Sequence, residues 1–81
     1  MKYYEVFFHD DKEKSRFLMA VRHEMKLRNW EMQDLANSIG RSRNALYDFF
    51  NCKNKSSRFI AADIANLFQF QRKEWSNDSE D

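Results

Sequence analysis

The only glycine of the chain, Gly40, stands between two short apolar patterns, and this constrains the fold more than any other feature. The stretch Met32–Phe50 reads MQDLANSIGRSRNALYDFF. Before the glycine, Leu35, Ala36 and Ile39 share one face at helical spacing; after it, Leu46, Phe49 and Phe50 share another. Two helices that cross steeply need a small side chain where they touch, and Ala36 supplies it. The corner between them needs a residue that tolerates positive φ, which is Gly40. The second helix needs a fresh start, and Ser42 is a good N-cap. No proline interrupts the chain anywhere.

This spacing predicts a helix-turn-helix, whose second helix can lie in a DNA major groove. Around it the chain reads as all-α. Asp10 and Glu13 have the pattern of a capping box, and a helix is expected from there to about Arg28. Phe17, Leu18, Val21, Met25 and Leu27 are its inward stripe, bordered by a basic face running from Lys12 to Arg28. Asn29 tolerates the left-handed conformation and ends this helix, and Trp30 packs at the entry to the next. After the motif, NCKNKSS is a polar loop. Ser57 is expected to cap a further helix starting near Arg58 or Phe59, with Phe59, Ile60, Ile64, Leu67 and Phe68 inward and Ala61, Ala62 and Ala65 allowing close approach. Its end lies near Gln69 or as far on as Trp75. Residues 2–8, KYYEVFF, fit either a short strand or a leading helical turn. A strand there has no partner within the chain and would pair with another molecule or lie on the helices. A plainer alternative is that Tyr3, Tyr4, Phe7 and Phe8 cover one side of the core.

Eighty-one residues make one domain with a thin core. Aromatics make up 16% of it, so large rings can fill the few core positions. The domain is expected over residues 1–75, with the aromatic segment as an N-terminal extension and residues 76–81, SNDSED, as an acidic disordered tail. The net charge is +1, from 14 Lys and Arg against 13 Asp and Glu, so the distribution of charge matters more than its sum. A single cysteine, Cys52, excludes an internal disulfide and fits a reducing, cytoplasmic setting. No apolar run approaches the roughly 20 residues needed to span a bilayer, and no signal peptide is visible. His9, His23 and Cys52 are too scattered for a metal site, and one glycine cannot build a phosphate loop. The sequence therefore calls for no metal, no cofactor and no enzymatic activity.

Residues 21–68 resemble the DNA-binding domains of lambdoid phage repressors and Cro proteins. The resemblance rests on Leu35-Ala36, Gly40, Leu46 and Phe49, and continues through CKNKSSRFIAADIANLF; it covers about three fifths of the chain. It implies a compact bundle of four or five helices that reads operator DNA, usually as a dimer. By the same resemblance, Arg43 and Asn44 fall on base-reading positions. Their chemistry suits it: Arg donates two hydrogen bonds to guanine, and Asn bridges the N6 and N7 edge of adenine. Ser42 and Tyr47 match phosphate contacts, Gln33 joins them from the preceding helix, and Lys53, Lys55 and Arg58 match positions that grip the backbone. Plainer roles exist for some of these. Asn44 suits a helix start, Tyr47 suits packing on its neighbour, and the two lysines suit a solvated loop.

The chain also departs from the family pattern. Met32 stands where a phosphate-bonding Gln is common, and Met cannot make that bond. Asp48 lies on the face expected to approach DNA; it can accept from cytosine but repels phosphate. Arg41 replaces an apolar residue after the turn, Cys52 replaces a glycine, and Met25 and Phe50 stand where relatives often bury an Arg–Glu pair. No fifth helix, the usual dimer element, is evident. Two functions follow. One is a sequence-specific DNA-binding regulator. The other is an antirepressor or modulator that binds a repressor protein through Met32, Arg43, Tyr47 and Asp48. The partners implied are double-stranded DNA, a repressor protein and a second copy of the chain, the last through the aromatic N-terminal stretch.

Overall fold

The computed structural model describes residues 2–51 and 57–76. Four helices follow in order: α1 (Asp11–Arg28), α2 (Met32–Ile39), α3 (Arg43–Phe50) and α4 (Ser57–Phe68), then a 3-10 turn at Arg72–Glu74. The protein is a small all-α bundle. Its core is one cluster drawn from all four helices, the N-terminal segment and the end of the described chain.

Helix α1 starts where the capping pattern predicts. The Asp10 carboxylate accepts the Glu13 N–H at 3.0 Å, while the Glu13 carboxylate reaches back to the His9 N–H at 2.8 Å rather than to the cap residue itself. Glu13 is 1% exposed, so this acid belongs to the interior. Phe17, Leu18, Val21 and Met25 form the buried stripe as expected. Leu27 does not; it is 68% exposed, because it stands about 200° around the helix from Met25, on the opposite face.

Three helices end by one device. Asn29, Gly40 and Gln69 adopt left-handed conformations at φ 58°, 69° and 58°. In each case the next N–H donates back five residues: Trp30 to the Met25 carbonyl, Arg41 to Ala36 and Phe70 to Ala65, at 2.8, 3.0 and 2.8 Å. This is the Schellman ending. The αL residue turns the chain, and the residue after it returns towards the helix. At α1 and α4 the returning residue is aromatic, and the Trp30 and Phe70 rings both lie against Phe68. Helix α4 thus ends at Phe68 and does not run on to Trp75. It also begins at Ser57 itself, one residue earlier than expected.

The N-terminal segment is neither strand nor helix. It lies extended across α4 on bonds that form no ladder. The Tyr3 N–H donates to the Asn66 side-chain oxygen at 2.7 Å, the Asn66 amide donates back to the Tyr3 carbonyl at 2.8 Å, and the Val6 N–H donates to the Arg58 carbonyl at 3.1 Å. Val6, not the aromatic pairs, is the buried residue; Tyr3 and Phe8 are half-buried, while Tyr4 and Phe7 face solvent. Phe59 likewise proves partly exposed, on the outer side of α4. Trp75 is buried and packs edge-on against Tyr3 and Phe17, and Ser76, the first residue of the expected tail, is buried beside it in sequence. Residues 77–81 lie outside the described residues.

Two stability measurements follow. Phe17 is fully buried, so Phe17→Ala is expected to cost about 3–5 kcal/mol, a large share of the roughly 4–12 kcal/mol that a domain of this size commands. A large fall in the urea midpoint followed by circular dichroism checks it. At Gly40 a Cβ would meet nothing within 4 Å. Gly40→Ala therefore carries only backbone strain and should cost about 1 kcal/mol, with Gly40→Asn milder in the same assay.

Candidate nucleic-acid interface

The candidate interface is built on the α2–Gly40–α3 corner. Leu35 and Ala36 of α2 and Leu46 and Phe49 of α3 are fully buried, and α2 packs on both α3 and α4. With those faces turned inward, the opposite face of α3 is set by helical period. Arg43, Asn44, Tyr47 and Asp48 lie on it, all exposed, and Asn51 continues the stripe beyond the helix end. The four residues expected to read DNA or a partner from α3 therefore share one outward surface.

Ser42 caps α3 as predicted, its hydroxyl oxygen accepting the Ala45 N–H at 3.1 Å. That bond uses a lone pair and leaves the hydroxyl proton to be donated elsewhere. No acidic residue occupies the first turn of α3; Arg43 stands there instead. A cation at the positive end of a helix is locally unfavourable, so Arg43 does not serve the stability of its own helix. On α2, the Gln33 amide donates to the Asn37 side-chain oxygen at 2.9 Å, and both residues are exposed. Asn37 extends the polar surface, a neighbour that the sequence pattern did not single out.

Beside this stripe lies a cleft of about 360 Å³ lined by Arg22, Met25, Met32, Tyr47, Phe50 and Asn51. Met32 is half-buried in its wall, and Tyr47, 45% exposed, forms its edge. Tyr47 packs in this cleft and also keeps an outward face. The Arg22 guanidinium stacks over the Phe50 ring at 5.3 Å. Met25 and Phe50 join this apolar wall.

The remaining cations are distributed otherwise. Arg41 Nε bonds the Asp63 carboxylate of α4 at 2.8 Å, across the end of α2. At the other two Schellman endings the returning residue is an aromatic ring; at α2 it is this ion pair. Arg58 Nε bonds the Glu5 carboxylate at 2.8 Å, and its guanidinium lies over the Phe7 and Phe59 rings. Lys53, Lys55 and Cys52 lie outside the described residues. Among the described residues of the corner, Arg43 is the cation without an ion pair. The stretch 32–50 as a whole is neutral, Arg41 and Arg43 against Asp34 and Asp48.

Among the described residues no cluster of His, Cys, Asp and Glu is placed to hold a metal ion, and no helix is long and apolar enough to cross a membrane. No protein-family model, curated protein or solved structure matches the chain.

Both partners of the Arg41–Asp63 pair are 38% exposed, which limits its worth to about 1 kcal/mol at most. A double-mutant cycle with Arg41→Ala and Asp63→Ala, read by thermal unfolding, is expected to return a coupling below that figure and to shrink further in high salt.

Proposed function

We propose that this chain is a sequence-specific DNA-binding transcription regulator of the phage or mobile-element repressor type, acting in the cytoplasm. The α2–α3 unit serves as its helix-turn-helix, and residues 42–50 enter the major groove. The observation that carries this reading is the outward face of α3. Arg43, Asn44 and Tyr47 stand on it together, exposed, on a helix whose other face is locked into the core. Arg43 and Asn44 supply the side-chain chemistry that reads guanine and adenine edges. Ser42 and Gln33 supply donors for flanking phosphates, and Lys53 and Lys55 add positive charge in the sequence that follows α3. Arg58, held by Glu5, is not needed for this set.

A second reading has its own observation. The cleft beside α3 is lined by Met25, Met32, Tyr47 and Phe50, and the corner is electrically neutral. Apolar walls with flexible methionines suit a protein segment better than phosphate. On this reading the chain is an antirepressor that engages a repressor through Met32, Arg43, Tyr47 and Asp48, and a bound repressor would compete with operator DNA.

Fluorescence anisotropy on duplex DNA separates the two. The DNA reading expects binding that weakens steeply between about 50 and 200 mM salt. On a selected operator, Arg43→Ala should lower affinity about 10- to 100-fold, with binding to random duplex much less affected. Equal loss on both sequences removes Arg43 as a base reader. No binding at low salt removes the DNA reading and leaves the cleft.

A further inference from the structure

Phe7 of the N-terminal segment and Phe59 of α4 form one exposed aromatic patch. Phe7 is 63% and Phe59 39% exposed, and the Arg58 guanidinium lies 5.8 Å from the first ring and 4.8 Å from the second. One cation therefore bridges two rings from opposite ends of the chain. Glu5 closes the arrangement by bonding Arg58, and the Val6 N–H, bonded to the Arg58 carbonyl, fixes the segment on the helix. Tyr4, in the same segment, is 82% exposed. Exposed Phe and Tyr side chains beside an Arg are the composition of a protein–protein contact, not of a solvated surface.

We propose that this patch is the contact between two copies of the chain. Charge complementarity selects the occupant. The patch carries one acid and one base side by side, so a twofold axis through it sets each Glu5 against the Arg58 of the other copy and leaves no charge unmatched. Nucleic acid is a poor occupant, because Glu5 repels phosphate. A strongly acidic or basic protein would leave Arg58 or Glu5 facing a like charge. The area sets the strength of such a contact. A large aromatic buries about 150–250 Å², and given the exposures of Phe7 and Phe59 these two side chains alone would cover roughly 400 Å² summed over both copies. That core is small beside the about 1,200–2,000 Å² of a stable interface, which suits a weak dimer. The choice of a second copy also rests in part on the DNA reading, since a regulator of paired half-sites works as a twofold dimer.

Sedimentation equilibrium of the full chain tests this without DNA, so a failed dimer and a failed DNA reading are told apart. The wild type is expected to show a monomer–dimer equilibrium within about 10–500 μM. Phe7→Asp should weaken it about tenfold or more, with the thermal midpoint nearly unchanged because Phe7 is exposed. Phe59→Asp should do the same, and if it unfolds the chain, Phe7→Asp carries the test. Glu5→Lys and Arg58→Glu should each weaken self-association, and an equal mixture of the two variants should restore it as a heterodimer. A monomer throughout that range, or a dimer indifferent to Phe7→Asp, overturns the proposal. A mixture that fails to pair overturns the twofold arrangement.

Discussion

Phe17 is the residue on which the parts of this molecule converge. Its ring is fully buried and meets four others edge-on: Phe8 of the N-terminal segment, Phe49 of α3, Phe70 after α4 and Trp75 at the end of the described chain, with centroids 5.3–6.1 Å away. Edge-to-face pairs add about 0.5–1.5 kcal/mol each beyond their buried area. In a domain with so thin a core, that cluster holds the ends of the chain to the middle. It also sets the position of the candidate site. Phe49 is the inner anchor of α3, so the ring that receives it determines which face of α3 is left outside.

The shared helix endings show how similar backbone geometry is completed by different chemistry. All three need an αL residue and a return hydrogen bond. Two are sealed by aromatic rings against Phe68, and the third by the exposed Arg41–Asp63 pair. The third is the corner that presents α3. Sealing it with charge rather than an apolar side chain keeps the turn solvated beside the candidate site. It also takes Arg41 out of the positive field, as Glu5 takes Arg58. Among the described residues of the corner this leaves Arg43 as the cation on the outward face of α3.

Much of the fold was legible because helical period and caps are local. Asp10, Asn29, Gly40 and Ser42 mark helix ends through their own side chains or their own φ. Leu35, Leu46, Phe49, Ile60 and Ile64 mark inner faces through spacing alone. The exceptions have physical reasons. Gln69 carries no side-chain signal for the left-handed turn; it adopts that turn because Phe70 is drawn back into the core. In residues 2–8, aromatic content pointed to Tyr3, Tyr4, Phe7 and Phe8 together, whereas an extended chain on one helix can bury only what faces that helix. Val6, Tyr3 and Phe8 do so, and Tyr4 and Phe7 cannot. Leu27 and Phe59 miss the core because each stands away from the inner stripe of its helix, about 200° round from Met25 and about 140° from Ile64.

The sequence by itself determined an all-α chain, the start and end of α1, the turn at Gly40, the cap at Ser42 and the set of side chains that α3 presents. These follow from backbone preference and from a period of 3.6 residues, which need no knowledge of distant neighbours. Only the tertiary structure decided where the charges go and which rings stay outside. Arg41 meets Asp63 and Arg58 meets Glu5 across long stretches of sequence, and Phe7 and Phe59 come together over one guanidinium. Such pairings depend on how α4 lies against α2 and the N-terminal segment, and no local pattern specifies that. The surface of this protein is thus a consequence of packing, although the helices that carry it are a consequence of composition and spacing.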